Sequence, residues 1–190
     1  MSSKYITDQN FQNIDFSNTG IEKADYENCT FSACIFSSTS LNDFSFEDCS
    51  FENCDFSTTI VRNTAFKNVH FWACKLIGVQ FDECNPFLLE FNFNECLLNY
   101  SSFYRLKLKA TSFIKCILQE VDFSEADLTK ANFTECDFSG AIFVRTNLQQ
   151  ADFRSSSNFT INPEENQIKG AKFSMETLSG LLHKYNIEVD

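Results

Sequence analysis

Residues 126–153 read ADLTKANFTECDFSGAIFVRTNLQQADF, and this stretch decides the fold. It divides into five-residue units. Each has a small residue, a second residue that is often Asp or Asn, a central Leu or Phe, and two mostly polar residues. The centres are Leu128, Phe133, Phe138, Phe143, Leu148 and Phe153. The small positions, two residues earlier, are Ala126, Ala131, Cys136, Ala141, Thr146 and Ala151. A fixed short period takes precedence over other readings, because repeat units bury their apolar faces by stacking on one another.

The period extends back through nearly the whole chain. Centres recur every fifth residue from Phe11 to Phe81, slip by two, and resume from Leu88 and Phe93 to join the opening stretch. Every Phe except Phe44, Phe87, Phe91, Phe159 and Phe173 sits at a centre. Neither the helical period of 3.6 nor the strand period of 2 generates this spacing.

On these units the sequence resembles the pentapeptide-repeat family over roughly residues 9–155. The resemblance implies an all-β fold, a right-handed quadrilateral parallel β-helix in which four units make one square coil. Small and central side chains point inward. If four units close a coil, every fourth centre stacks on one face. That face reads Phe11, Phe31, Phe51, Phe71, Phe93, Phe113, Phe133 and Phe153, without exception. On a second face the small positions read Ile14, Cys34, Cys54, Cys74, Cys96, Cys116 and Cys136. The expected rod has roughly seven coils at ~4.8 Å each, about 35 Å in all.

Three segments are expected: a tail or cap at 1–8, the β-helix at 9–154, and a C-terminal segment at 155–190. The slip lies within QFDECNPFLLEFNF, residues 80–93. Pro86 cannot donate to a ladder, so a bulge is expected at a corner around Asn85, Pro86 and Phe87, with Phe87 outside the core. Ile14, Phe44, Phe91 and Leu106 are oversized for small positions. All nine Cys fall at small positions, which reads as free thiols packed as small hydrophobes rather than as disulfides. With only two His and no Cys-x-x-Cys pair, neither a zinc site nor any other cofactor is expected.

After Arg154 the serines at 155–157 and Asn162-Pro163 signal loop and turn. Ser174 reads as the N-cap of a short C-terminal α-helix. Leu178, Leu181, Leu182 and Tyr185 would share one of its faces, despite Gly180. Ile187 and Val189 alternate with polar residues as a short strand. This tail is similar to that of the gyrase-protecting members, the Qnr-type and microcin-immunity-type proteins. The matching residues are Ile161, Asn162, Pro163, Glu164, Asn166, Ile168, Phe173, Leu178, Leu181, Leu182, Ile187 and Val189. The resemblance implies a tail-to-tail homodimer through Phe173, Leu178, Leu181, Leu182, Tyr185, Ile187 and Val189. A plain hydrophobic cap is the alternative. Quinolone-resistance members often carry two longer loops, where this chain has only its two-residue slip.

The formal net charge is −11. Residues 1–60 carry −8, residues 61–119 carry +3, residues 120–154 carry −4 and residues 155–190 carry −2. That balance argues against nucleic-acid binding, which needs a basic patch. No apolar run is long enough for a membrane span and the N-terminus lacks a signal-peptide pattern, so a cytoplasmic protein is expected. No catalytic constellation or glycine-rich phosphate loop is present, so a binding protein is expected rather than an enzyme. An acidic rod of DNA-like width fits a basic DNA-binding groove. The resemblance then implies DNA gyrase or topoisomerase IV as partner. The candidate contacts are Asp15, Asp25, Asp55, Asp122, Asp127, Asp137 and Asp152. The other reading is a scaffold with a different partner, its acidity serving solubility.

Overall fold

The computed structural model describes residues 4–187 as a parallel β-solenoid, four-sided in cross-section. One sheet stacks Tyr5–Thr7, Asp25–Glu27, Ser45–Glu47 and Ala65–Lys67. The next runs from Asn10–Gln12 through Thr30–Ser32, Ser50–Glu52, Val69–Trp72, Phe91–Asn94 and Ser112–Ile114 to Asn132–Thr134. The other two sides are held by single bridges, such as Asp15↔Ile35↔Asp55↔Lys75 and Ser102↔Asp122↔Ile142. Partners lie twenty residues apart before the slip and after it, as four five-residue units require.

The core is the predicted one. Phe31, Phe51, Phe71, Phe93, Phe113, Phe133 and Phe153 are buried, and Phe11 at the first coil packs against them. Their rings stack near-parallel with centroids 4.7–5.4 Å apart. Edge-to-face contacts join this column to its neighbours, for example Phe51 to Phe56 at 5.0 Å and 87°. Both arrangements suit the ring quadrupole.

All nine cysteines are free and buried, but small size is only part of their role. The thiols of Cys54, Cys74 and Cys136 donate to the carbonyls of Phe31, Phe51 and Phe113, 3.2–3.3 Å away, in the preceding coil. Thr59, Thr64 and Thr146 make the same bond to Phe36, Leu41 and Phe123. The small position therefore favours a residue that is compact and carries a donor. Burial pushes the Cys49 thiol up to about 12.

The two-residue insertion is where the sequence places it. Ala65 pairs with Asn85 but Val69 pairs with Phe91, so register shifts between these points. Asn85 Oδ1 accepts from the Phe87 backbone N–H at 3.0 Å, closing a tight turn. Phe87 is 68% exposed. Leu88 departs from expectation. It is exposed, with φ 55°, instead of serving as the resumed centre. Phe91 fills that space, its ring 5.4 Å from Phe66.

Both ends of the repeat lie further out than the sequence reading placed them. Tyr5–Thr7 is a strand in register with Asp25–Glu27 rather than part of a tail, because Ile6 is in phase with Phe11. At the other end the bridges Asn147↔Gln167 and Asp152↔Lys172 continue the coil past residue 154. Phe173 stacks on Phe153 with centroids 5.4 Å apart. The signal for this last coil was KGAKF, a repeat unit at 169–173 with Ala171 small and Phe173 central.

The C-terminal α-helix is instead two 3-10 segments, Met175–Leu181 and His183–Tyr185. The reason is contact with the last coil. Ile161 N–H donates to Gly180 O at 3.0 Å. A Cβ on Gly180 would lie 2.3 Å from Phe159 O. Gly180 is thus required for close approach and is not a mere weakness in a helix. Ser174 caps no backbone N–H; its hydroxyl pairs with Thr177 at 3.0 Å.

Candidate partner-binding surface

Each unit turns a corner two residues after its centre, where the backbone is left-handed. In the first half the corner residues are mainly Asn and Asp: Asn13, Asn28, Asp43, Asp48, Asn53, Asn63 and Asn68, with φ 50–58°. These residues tolerate that conformation best after glycine. Their side chains pair up the rod, Asn28 to Asp8 at 2.5 Å, Asn63 to Asp43 at 2.8 Å and Asn68 to Asp48 at 2.6 Å. In the second half, Arg105, Glu125 and Arg145 hold one corner. Both arginines bind Glu125, at 2.7 and 2.5 Å. The Arg105 and Arg145 hydrogen bonds hold its carboxyl at about 2.

The two corners differ in charge. An amide satisfies a carboxylate's hydrogen bond and leaves its charge, whereas a guanidinium removes it. Among residues 1–60 only Glu22 and Glu47 have an ion-pair partner within the described residues, Lys4 and Lys67. Asp8, Asp15, Asp25, Glu27, Asp43, Asp48, Glu52 and Asp55 make no ion pair there.

The seven candidate aspartates are all half-buried at outward positions, but they do not converge. Asp15, Asp55 and Asp137 lie on one side of the rod, Asp25 and Asp127 on another, Asp122 on a third and Asp152 on the fourth. Six of them have a local task that the sequence reading missed. Asp15, Asp55, Asp122, Asp127, Asp137 and Asp152 each accept the backbone N–H two residues on, at 2.8–3.2 Å. The signal was visible in the pattern: Asp directly before the centre can close an Asx turn.

Partners further separate the set. Asp152 pairs with Arg154 at 2.7 Å and Lys172 at 3.6 Å, and the Arg154 contacts hold its carboxyl at about 2. Asp127 pairs with Lys109 at 3.3 Å. At Asp137 burial works to raise the pKa, but hydrogen bonds from Asn158, Gln119 and Ser139 prevail and hold it at about 2. Only Asp25, of the seven, has neither an Asx bond nor an ion pair among the described contacts.

At the C-terminal end the expected apolar stripe splits. Leu181 is buried in the protein's own core, and Phe173 covers Phe153. Met175, Leu178, Tyr185 and Ile187 are exposed, and Leu182 is half-buried. The Tyr185 hydroxyl donates to Glu164 at 2.7 Å, and Lys184 pairs with the same carboxylate. Ile187 is in no strand; Val189 lies outside the described residues. His70 and His183 are exposed, and among the described residues no His, Cys, Asp and Glu group has the geometry to hold a metal. No helix in the described residues is long and apolar enough to cross a membrane.

A model of the pentapeptide repeat region matches residues 44–113, and a model of pentapeptide repeats matches residues 116–155 in eight copies. The chain belongs to the pentapeptide-repeat family. Two solved pentapeptide-repeat structures share its fold. One is a trypsin-treated variant of QnrB1, a plasmid-mediated fluoroquinolone resistance protein, at 22% identity and TM-score 0.62, covering 98% of this chain and 92% of that one. The other is HetL, involved in heterocyst differentiation regulation in the cyanobacterium Nostoc sp., at 15% identity and TM-score 0.62, covering 91% and 87%. No curated protein gives a significant match.

Proposed function

We propose that this pentapeptide-repeat protein is a non-enzymatic DNA mimic. It binds DNA gyrase or topoisomerase IV in place of DNA and protects the enzyme from quinolones or a peptide toxin. The observation that carries the reading is the unneutralised acidity of the first sixty residues, held on a rod that cannot collapse around its charges. A basic DNA-binding groove meets such a surface with favourable long-range steering. The fluoroquinolone resistance of QnrB1 agrees with it, although HetL, equally similar in fold, serves another process.

The exposed Met175, Leu178, Tyr185 and Ile187 support a second element of the proposal, a tail-to-tail dimer. Such an interface would be two-fold and self-complementary. Its check is sedimentation at micromolar concentration, where a dimer is expected, and deletion of residues 175–190, which should abolish it.

The functional test is gyrase supercoiling with and without a fluoroquinolone. Added protein should restore supercoiling in the drug's presence and inhibit it at high concentration without drug. If it does neither, the reading fails and the scaffold role replaces it.

A further inference from the structure

A groove of about 460 Å³ opens on the side of the rod that carries the long Phe column. It is lined by His70, Trp72, Asn92, Asn94, Ser112 and Ile114, over Phe71 and Phe93. Trp72 stands in register with Asn94 within the lining and with Glu52 on the adjoining coil just outside it. Adjacent coils are about 4.8 Å apart, so the carboxylate and the amide flank the indole.

Each of the three lacks something. Trp72 is 44% exposed, on a sheet whose alternate residues are fully buried. No donor of the described chain reaches the buried Asn94 Oδ1. Among the described residues Glu52 has no ion-pair partner, and its one side-chain hydrogen bond there is a long one from Ser32 Oγ at 3.5 Å. A buried acceptor without a partner favours any ligand that supplies a donor. Rotation of the Asn94 side chain toward the groove would bring its oxygen to such a ligand.

We propose that this groove receives an arginine side chain of a protein partner. A guanidinium is planar and stacks on an indole face. Its N–H groups fan out in the plane, and its charge suits Glu52. A lysine supplies charge without the plane or the fork. The surrounding segment, residues 61–119, carries +3, so the attraction for a cation comes from Glu52 on the adjoining coil. The inference does not depend on the partner being a topoisomerase.

Trp72 is the chain's only tryptophan, so its fluorescence reports on the groove directly. The full chain is titrated with acetyl-Gly-Arg-Gly-amide and with the lysine counterpart. The arginine peptide should perturb Trp72 emission saturably and bind about tenfold tighter than the lysine peptide, by the guanidinium's stacking and fork geometry. Asn94→Leu and Glu52→Gln should each weaken arginine binding several-fold by this hydrogen-bond account. Glu27→Gln, on the neighbouring side, should not. Trp72→Ala, followed by calorimetry, should abolish it. Equal binding of both peptides would reduce the groove to a generic acidic surface and overturn the proposal. So would an unchanged affinity in Asn94→Leu, whose fold is verified by its circular dichroism.

Discussion

The two halves of the rod solve one geometric problem with different chemistry. Every corner needs a left-handed residue, and some corners add a side chain that bonds to the next one up the rod. The first half uses Asn against Asp, as in Asn68 and Asp48, and the second uses Arg against Glu, as in Arg105, Glu125 and Arg145. Both satisfy the hydrogen bonds. Only the second cancels the charge. Residues 1–95 carry 14 acids and 5 bases, a formal −9, whereas residues 96–190 carry 12 acids and 10 bases, a formal −2. A ladder that stabilises the coil can thus also set how much field the rod projects. The second half also bears a cost: Tyr100, Lys115 and Glu135 adopt left-handed φ of 60°, 51° and 54°, which non-glycine residues other than Asn and Asp adopt less readily.

The largest expected effect tests whether one core runs through both halves. Phe71→Ala, before the insertion, and Phe113→Ala, after it, should each cost ~3–5 kcal/mol in denaturant unfolding. Both rings are fully enclosed in the same column. A loss below about 1 kcal/mol at either site, against the usual Phe→Ala cost, would break the shared register.

Next in size is the C-terminal junction. Gly180→Ala places a methyl against the Phe159 carbonyl and should destabilise by ~1–3 kcal/mol through overpacking. Unchanged stability would mean that the terminal segment is not seated on the last coil as described.

The fold itself was legible in the sequence because its period is a direct imprint of stacking. The eight-Phe column, the free buried cysteines and the position of the insertion follow from residue identity and phase alone. What was not legible depended on departures from phase. Leu88 has the right residue type at the expected phase, but the turn from Asn85 carries it outward and Phe91 replaces it. The last coil was hidden because Asn158 and Pro163 stand where Leu or Phe would signal a centre. The candidate aspartates were legible as outward-facing. Their dispersal over four sides follows from coil arithmetic, but their local turn bonds and ion pairs depend on side-chain conformations that composition does not reveal.

A smaller effect sharpens the contrast between the halves through pH. Hydrogen bonds from Arg105 and Arg145 hold Glu125 at about 2, and those from Arg154 hold Asp152 at about 2. A carboxyl whose folded pKa is depressed contributes stability above its unfolded value, near 4, and loses it as pH falls toward 2. The denaturation midpoint should therefore fall between about pH 4 and pH 2. Glu125→Gln should flatten part of that slope. These groups are solvent-accessible, so the change is modest. A midpoint that rises toward acid would contradict the pairing.

The most direct measurement compares the halves by neutralisation. Asp15→Asn, Asp25→Asn and Asp55→Asn are combined in one variant, and Asp127→Asn, Asp137→Asn and Asp152→Asn in another. Asn retains the oxygen that closes each Asx turn, so both variants keep the coil. Each is titrated into gyrase supercoiling reactions containing a fluoroquinolone. The first variant should protect measurably less well than the unaltered protein, with the difference shrinking as salt is added. The second should lose less, since Asp127 and Asp152 are already ion-paired and only Asp137 carries an unpaired charge. Equal protection by both variants, or greater loss in the second, would contradict the claim that unpaired acids of the first half dock the rod.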